Sequence, residues 1–213
     1  MNGYLTDGYL VVSGLHKQWP MKEIDISFGL AKGDSLAILG PSGCGKSSVL
    51  RMIAGLLLPD AGKIMLDGKD LTGVDPGKRN IGMVFQDHAL FPHLSVEDNI
   101  AYGLVSAGVT KRERRRVASE WLGRFGLAGF GRRRIESLSG GEKQRVSLAR
   151  TLAVNPALVL FDEPLSSLDT ELRKRLQIEL RTRQQELGYT AIYVTHDEDE
   201  AAVLADRVIR MKL

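Results

Sequence analysis

The sequence predicts an α/β fold with three parts: a mostly parallel sheet with crossover helices, an antiparallel β subdomain toward the N-terminus, and an inserted helical lobe. Three observations carry that expectation. Short apolar runs alternate with helix-length stretches on either side of the chain's middle. One run, at 36–39, is apolar throughout and opens directly into the pattern G-x-x-x-x-G-K-[ST] at 40–47. Between 87 and 138 the strand signals fade while charge and helix formers accumulate.

The elements follow in order. Residues 10–12, 24–26 and 36–39 read as strands. Ile24, Ile26 and Phe28 alternate with polar neighbours, as in a half-buried antiparallel strand, whereas 36–39 suits a parallel strand covered on both faces. A helix is expected over 46–54, with Val49, Leu50 and Ile53 at helical spacing and Gly55 as its stop. Strands at 63–66 and 81–85 are separated by the turn signals Asp67-Gly68 and Asp75-Pro76-Gly77. A helical run follows at 143–153. A buried strand is expected at 158–161, a helix at 170–187 and a strand at 191–194. These elements make one domain, with the core at about 1–86 and 155–213 and the lobe at about 87–154.

The 213 residues are 26% charged and 43% apolar, ordinary for a soluble globular chain with one substantial core. The net charge of +3 suits an anionic ligand or a membrane face but selects neither. With Cys44 as the single cysteine, an internal disulfide is excluded. No apolar run is long enough to cross a bilayer, and the start lacks the basic-then-apolar pattern of a signal peptide. The expectation is a cytoplasmic chain whose membrane role, if any, comes through a partner.

Gly40, Pro41, Ser42, Gly43, Cys44, Gly45, Lys46, Ser47 and Ser48 carry the first chemistry. The glycines let the backbone curl so that its N–H groups approach phosphates, and the following helix adds the positive end of its dipole. Lys46 is a point charge for the outer phosphates, and the Ser47 hydroxyl is a ligand for Mg²⁺. A glycine-rich turn with an incidental lysine is the bland alternative, which the strand–loop–helix context disfavours. Cys44 reads as a small residue lending its N–H, or as a thiol that bound nucleotide shields from alkylation. At 158–161 the apolar strand ends in Asp162 and Glu163. Carboxylates at the C-terminal edge of a parallel sheet lie where ligands collect. Asp162 is read as a holder of Mg²⁺ and Glu163 as the group that polarises an attacking water.

Far downstream of the loop, Leu138, Ser139, Gly140, Gly141 and Glu142 form a further motif. It fits a capping box before a helix, and its two adjacent glycines also suit close approach to a phosphate. With the 40–48 loop, and with 162–169 reading Asp-Glu-Pro-Leu-Ser-Ser-Leu-Asp, the chain resembles the ATP-binding cassette (ABC) ATPases over nearly all its length. That resemblance implies a P-loop NTPase core and ATP as ligand. It also implies a head-to-tail pair of ATPase subunits, in which Ser139 and its glycines bind the γ-phosphate of ATP held by the other subunit. Glu142 departs from the family's commonest glutamine. By the same resemblance Gln86 is the Q-loop residue that touches Mg²⁺ and the attacking water. His196 is the switch histidine at the γ-phosphate, acting with Glu163 and Lys46 in catalysis, and Asp169 couples the two sites. Trp19 stands at the adenine-stacking position, although Pro20 replaces a more usual glycine and an ordinary packing tryptophan is the alternative. Gln86 and His196, each taken alone, would read as surface residues.

The stretch from Phe85 to Ile100 is closest to importer ATPases, which implies integral membrane permease subunits, a solute-binding protein acting indirectly, and a place on the cytoplasmic face of the membrane. Leu90, Phe91, Pro92 and Leu94 either line a groove for a permease helix or pack within the lobe. The basic runs at 111–116 and 132–134 read as solvated faces in preference to nucleic-acid contacts. Polyamines, ferric iron, thiamine and oxyanions are the solutes the pattern suggests. Two rivals remain: a soluble ABC ATPase serving DNA repair, translation or cofactor assembly, and a nucleotide-gated scaffold without turnover.

Overall fold

The computed structural model describes residues 8–166 and 170–212. Two compact units emerge. The first holds the chain up to Met83, Ala157–Glu163 and the residues from Gln177 onward; the second holds Val84–Pro156 and Pro164–Leu176.

The first unit begins with a long hairpin, β1 (Leu10–Trp19) and β2 (Lys22–Leu30), joined through Pro20 and Met21. Leu10, Val12 and Leu15 are fully buried, so the inward period of two breaks between Val12 and Leu15, where the register with β2 shifts. Gly14 takes up that bulge at φ 53°, and Gly62 abuts it so closely that a Cβ would stand 2.2 Å from the Gly14 carbonyl oxygen. β4 (Ala61–Leu66) and β5 (Lys69–Asp70) complete an antiparallel sheet of order β2-β1-β4-β5. A second sheet has the order β6-β7-β8-β3-β9. It comprises β3 (Ser35–Leu39), β6 (Ile81–Val84), β7 (Leu158–Asp162), β8 (Thr190–Thr195) and β9 (Arg207–Arg210). The β7–β8, β8–β3 and β3–β9 pairs are parallel.

The main core lies around helix α1 (Lys46–Ala54). Val49, Leu50, Met52 and Ile53 are buried against Val12, Ile24, Phe28 and Ile64 of the antiparallel sheet and against Ile38, Leu160, Ile192 and Val194 of the parallel one. This helix runs over the residues its spacing predicts and ends at Gly55, whose φ of 82° closes it in the left-handed cap. The end is also held from outside. Arg79, 2% exposed, donates from Nη1 to the carbonyls of Met52 (3.0 Å) and Ile53 (2.8 Å), from Nε to Val74 (2.7 Å) and from Nη2 to Thr72 (3.1 Å). A cation there complements the negative end of the helix dipole, although burial still pulls its pKa down. The opposite sheet face takes α6 (Glu198–Leu204) through Ala201 against Ala37 and Leu39, and stacks Phe161 on Tyr193 at 4.5 Å. Helix α5 (Thr170–Leu187) reaches the sheet through Arg181, which pairs with Asp206 and donates to Ser35 Oγ at 2.8 Å.

The second unit is helical: α2 (Val96–Ser106), α3 (Lys111–Arg124) and α4 (Gly140–Leu152). Ser95, Thr110 and Ser139 cap their N-termini through side-chain oxygens. In the basic run at 111–116, Lys111, Arg112, Arg115 and Arg116 are exposed; Arg116 pairs with Glu113 on its own helix at 2.7 Å and Arg115 with Glu97 of α2 at 3.0 Å, while the half-buried Arg114 donates to the Val109 carbonyl.

Several boundaries differ from the sequence expectation. β1 extends to Trp19 because antiparallel pairing tolerates its polar outward residues. Helix α4 starts at Gly140 rather than at 143 because the Ser139–Glu142 cap sets its first turn. The strands β5 and β9 and the short helix α6 are additions; β9 is an edge strand with mostly exposed side chains and so lacks an apolar signature.

Candidate functional site

β3 delivers the chain into the loop at 40–45. Gly43 and Gly45 adopt φ of 87° and 108°, and at Gly45 a Cβ would lie 2.5 Å from Ile24 Cδ1, so both conformation and space demand glycine. The Cys44 N–H donates to the Pro41 carbonyl at 3.3 Å. Cys44 itself is buried, and a Cβ on Gly40 would stand 2.9 Å from its sulfur. Pro41, Ser42 and Gly43 are exposed. Gly45 caps α1 without a side-chain acceptor, so no capping side chain occupies the first N–H groups of the helix, the arrangement that suits an anion. Ser48 lies in the first turn of α1.

Lys46 is only 4% exposed. Its ammonium donates to the carbonyls of Gly40 (2.9 Å) and Pro41 (3.0 Å) and lies 3.7 Å from Glu163 Oε1. Glu163 follows β7 directly and holds φ at 46°, a left-handed conformation unusual for a glutamate, while its N–H donates to the Val194 carbonyl at 3.1 Å. Its other carboxylate oxygen is 3.5 Å from His196 Nδ1. His196 follows β8 directly, and its turn is fixed behind it. Thr195 Oγ1 donates to the buried Glu200 carboxylate at 2.6 Å, and Asp197 caps α6. Lys46, Glu163 and His196, far apart in sequence, therefore meet around one carboxylate.

Beside them Ser47 Oγ donates to Asp162 Oδ1 at 2.6 Å. Among the described residues no cluster of three or more His, Cys, Asp or Glu could hold a metal alone. One hydroxyl and one carboxylate fit Mg²⁺, which takes few protein oxygens and completes its shell with phosphate and water.

Trp19 sits half-buried at the end of the hairpin, with the Lys22 ammonium 5.8 Å from its ring centroid. Lys22 also donates to the Gly43 carbonyl at 2.5 Å. Sequence reasoning missed Lys22; its signal is only its place next to the hairpin turn. A cavity of about 500 Å³ lies here, lined by Met21, Lys22, Gly43, Cys44 and Lys212 among others.

The second unit carries the remaining candidates. Gln86 is exposed, in a turn closed by His88 N–H donating to the Phe85 carbonyl at 3.0 Å. His88 and Ala89 both have positive φ, 62° and 45°. Burial pushes the His88 imidazole below its usual pKa, with Gln144 opposing the shift. Leu138 is buried. Ser139 and Glu142 form a reciprocal capping box: Ser139 N–H donates to Glu142 Oε2 at 2.7 Å, and Glu142 N–H donates to Ser139 Oγ at 3.3 Å. The backbone bond from Ser139 holds the Glu142 carboxyl below its usual pKa. Gly140 is exposed, and Gly141 is covered by Leu172. Phe91 packs on Tyr102 at 4.4 Å, Leu90 and Leu94 are half-buried, and Pro92 is exposed. Asp169 lies outside the described residues. Among those that are described, no helix is long and apolar enough to cross a membrane.

Comparison with known proteins gives the relatives of the chain. The family described as ABC transporter matches residues 24–166. The chain is 51% identical to a Fe(3+) ions import ATP-binding protein of Agrobacterium fabrum over 188 residues, covering 88% of this chain and 53% of that protein. It is 50% identical, with the same coverage, to its counterpart in Rhizobium meliloti. It is also 50% identical to a spermidine/putrescine import ATP-binding protein of Nitrosospira multiformis, covering 88% and 52%. The chain spans about half the length of the curated relatives it matches.

Proposed function

The chain belongs to the ABC transporter family, and from that premise we propose that it binds and hydrolyses ATP to drive an importer for a small solute across the cytoplasmic membrane. The observation that carries the reading is the Glu163 carboxylate held between Lys46 and His196, with the Ser47–Asp162 pair alongside. The loop N–H groups and the start of α1 receive the phosphates. Lys46 exchanges its two carbonyl bonds for outer phosphate oxygens, a short swing for a flexible ammonium. Ser47 and Asp162 would hold Mg²⁺, which when bound would supply charge neutralisation at the phosphoryl oxygens. Glu163 accepts a hydrogen bond from the attacking water, and His196 faces the terminal phosphate. Trp19 stacks on the base.

The site is completed by a second ATPase subunit, whose Ser139, Gly140 and Gly141 approach the γ-phosphate while Gln86 reads the nucleotide's state. Asp169 is assigned to coupling across that pair. The capping box at Ser139 does not compete with this role, because a hydroxyl that accepts from the Glu142 N–H still has its own proton to donate. Permease subunits take up the motion, and the chain works at the cytoplasmic face of the membrane. Ferric iron is the first cargo to test, and a polyamine the second, after the relatives' names.

Steady-state turnover of wild type and Glu163→Gln tests the core of this. Loss of general-base catalysis should lower kcat by about 10²-fold or more, and the variant should dimerise on adding ATP. Equal turnover would remove Glu163 from its role. Co-purification with an integral membrane protein supports the importer; nuclease-sensitive association would favour the DNA- or RNA-linked alternative instead.

A further inference from the structure

The chain segment that follows Gln86 is gripped from two helices by side chains that no motif assigns. Arg150, near the C-terminal end of α4, donates from Nη1 to the Ala89 carbonyl at 2.6 Å and from Nη2 to the His88 carbonyl at 2.9 Å. Its guanidinium carbon also lies 5.5 Å from the Phe91 ring centroid. Ser147, one turn earlier on α4, donates to the same His88 carbonyl at 3.1 Å. From α2, the fully buried Asn99 accepts from the Phe91 N–H at 2.8 Å and donates to the Phe91 carbonyl at 3.0 Å. The segment so held is a costly one to hold. His88 and Ala89 are consecutive left-handed residues with side chains, and neither is the glycine that such backbone prefers. The His88 N–H in turn closes the turn that displays Gln86.

We propose that Arg150, with Ser147 and Asn99 beside it, is a positioning residue for nucleotide hydrolysis: it locks the backbone after Gln86 to α4, the helix that Ser139 caps. A displacement of Gln86 by the terminal phosphate is then transmitted to the Ser139 end of α4 as a rigid-body movement of the same unit. The charge and the planar fork both matter, since a guanidinium presents two donors to the adjacent His88 and Ala89 carbonyls from one rigid plane, whereas an ammonium is a point charge on a flexible stem and fixes their geometry less well. The inference rests on the reading of Gln86 and Ser139 given above.

A double-mutant cycle between Gln86→Ala and Arg150→Ala tests it, with Arg150→Lys as the conservative variant. MgATP affinity of the chain, steady-state turnover and hydrogen exchange at 88–91 are measured for each. Arg150→Ala should leave the Kd within about twofold, because the loop at 40–48 is intact, yet lower kcat by about tenfold or more and speed exchange at 88–91. Arg150→Lys should fall between it and wild type. Gln86→Ala should itself lower kcat, and adding Arg150→Ala should then cost little more, because both act through one element. Fully additive losses, or wild-type turnover in Arg150→Ala with exchange at 88–91 accelerated, would overturn the clamp. Wild-type turnover in Gln86→Ala alone would overturn the underlying reading of Gln86, and the proposal with it. Should Arg150→Ala fail to fold, Arg150→Lys in the same cycle decides on the same criteria.

Discussion

Replacing Arg79 with methionine should destabilise the first unit by about 3 kcal/mol. The guanidinium is 2% exposed and bonds four carbonyls, at 2.7, 2.8, 3.0 and 3.1 Å. Bonds from a charged donor are worth roughly 1.5–3 kcal/mol each, and a cation at a helix C-terminus adds about 1 kcal/mol. Against this stands the cost of burying the charge, several kcal/mol, whose sign is visible in the lowered pKa of the group. Methionine keeps most of the aliphatic stem in place, so little cavity forms. What it leaves behind is a set of carbonyls that lose a donor at about 1–3 kcal/mol each, softened because the Met52 carbonyl also accepts from the Gly55 N–H at 3.1 Å. The balance is a loss near 3 kcal/mol, or roughly 6–12 °C in Tm for a chain of this size. Urea denaturation at neutral pH measures it. A loss below about 0.5 kcal/mol would refute the reasoning, because desolvation would then cancel the four bonds and Arg79 would contribute nothing to holding the helix that presents Lys46.

Two further outcomes follow from the same geometry. Arg181 holds the Asp206 carboxyl down at about 2, below the usual 3.8, so its contribution is present above the usual carboxylate range and is lost as pH falls through about 2. With 38% of that side chain exposed, screening leaves about 1 kcal/mol; Asp206→Asn should be weaker than wild type by that amount at pH 7, with the gap shrinking as pH falls through 2, and a gap undiminished at pH 2 would sink the assignment. Gly45→Ala combines a strained φ with a Cβ 2.5 Å from Ile24 Cδ1, whereas Gly43→Ala meets open space. The first should weaken MgATP binding by about tenfold or more and the second by less, checked by fluorescence titration with a labelled nucleotide.

The α1 helix and the strand β7 were legible because local signals agree there: apolar spacing, a glycine stop, and an acidic pair where the strand ends. The long β1 was not, since Ser13, His16 and Gln18 face outward and a bulge interrupts the alternation that would have marked it. In α6 a signal existed, Asp197 three residues before Glu200, but the helix has only seven residues and little apolar face. The chemically informative residues Lys46, Glu163 and His196 could be named from motifs, while their approach around one carboxylate needed the parallel order of β7, β8 and β3. Lys22, Arg79, Asn99 and Arg150 were invisible for a common reason. Each acts on backbone carbonyls, which every residue possesses, so no partner side chain marks the pairing in sequence.

The backbone separates the working segments from the rest by a criterion independent of any motif. Among the described residues, those with side chains and positive φ are Asp67, Asn80, His88, Ala89, Asn155 and Glu163. Asp and Asn enter that region readily, because a short polar side chain can bond its own backbone, so Asp67, Asn80 and Asn155 need no further cause. A histidine, an alanine and a glutamate have no such help. Each costs on the order of 1 kcal/mol and persists only where its surroundings over-determine it. For Glu163 the surroundings are the Val194 carbonyl, Lys46 and His196; for His88 and Ala89 they are Arg150 and Ser147. Relaxing Glu163 into an ordinary strand conformation would gain that energy but turn its carboxylate away from Lys46 and His196. Stability alone gives no reason to keep the strain, whereas the need to hold one carboxylate and one glutamine-bearing turn in fixed positions does.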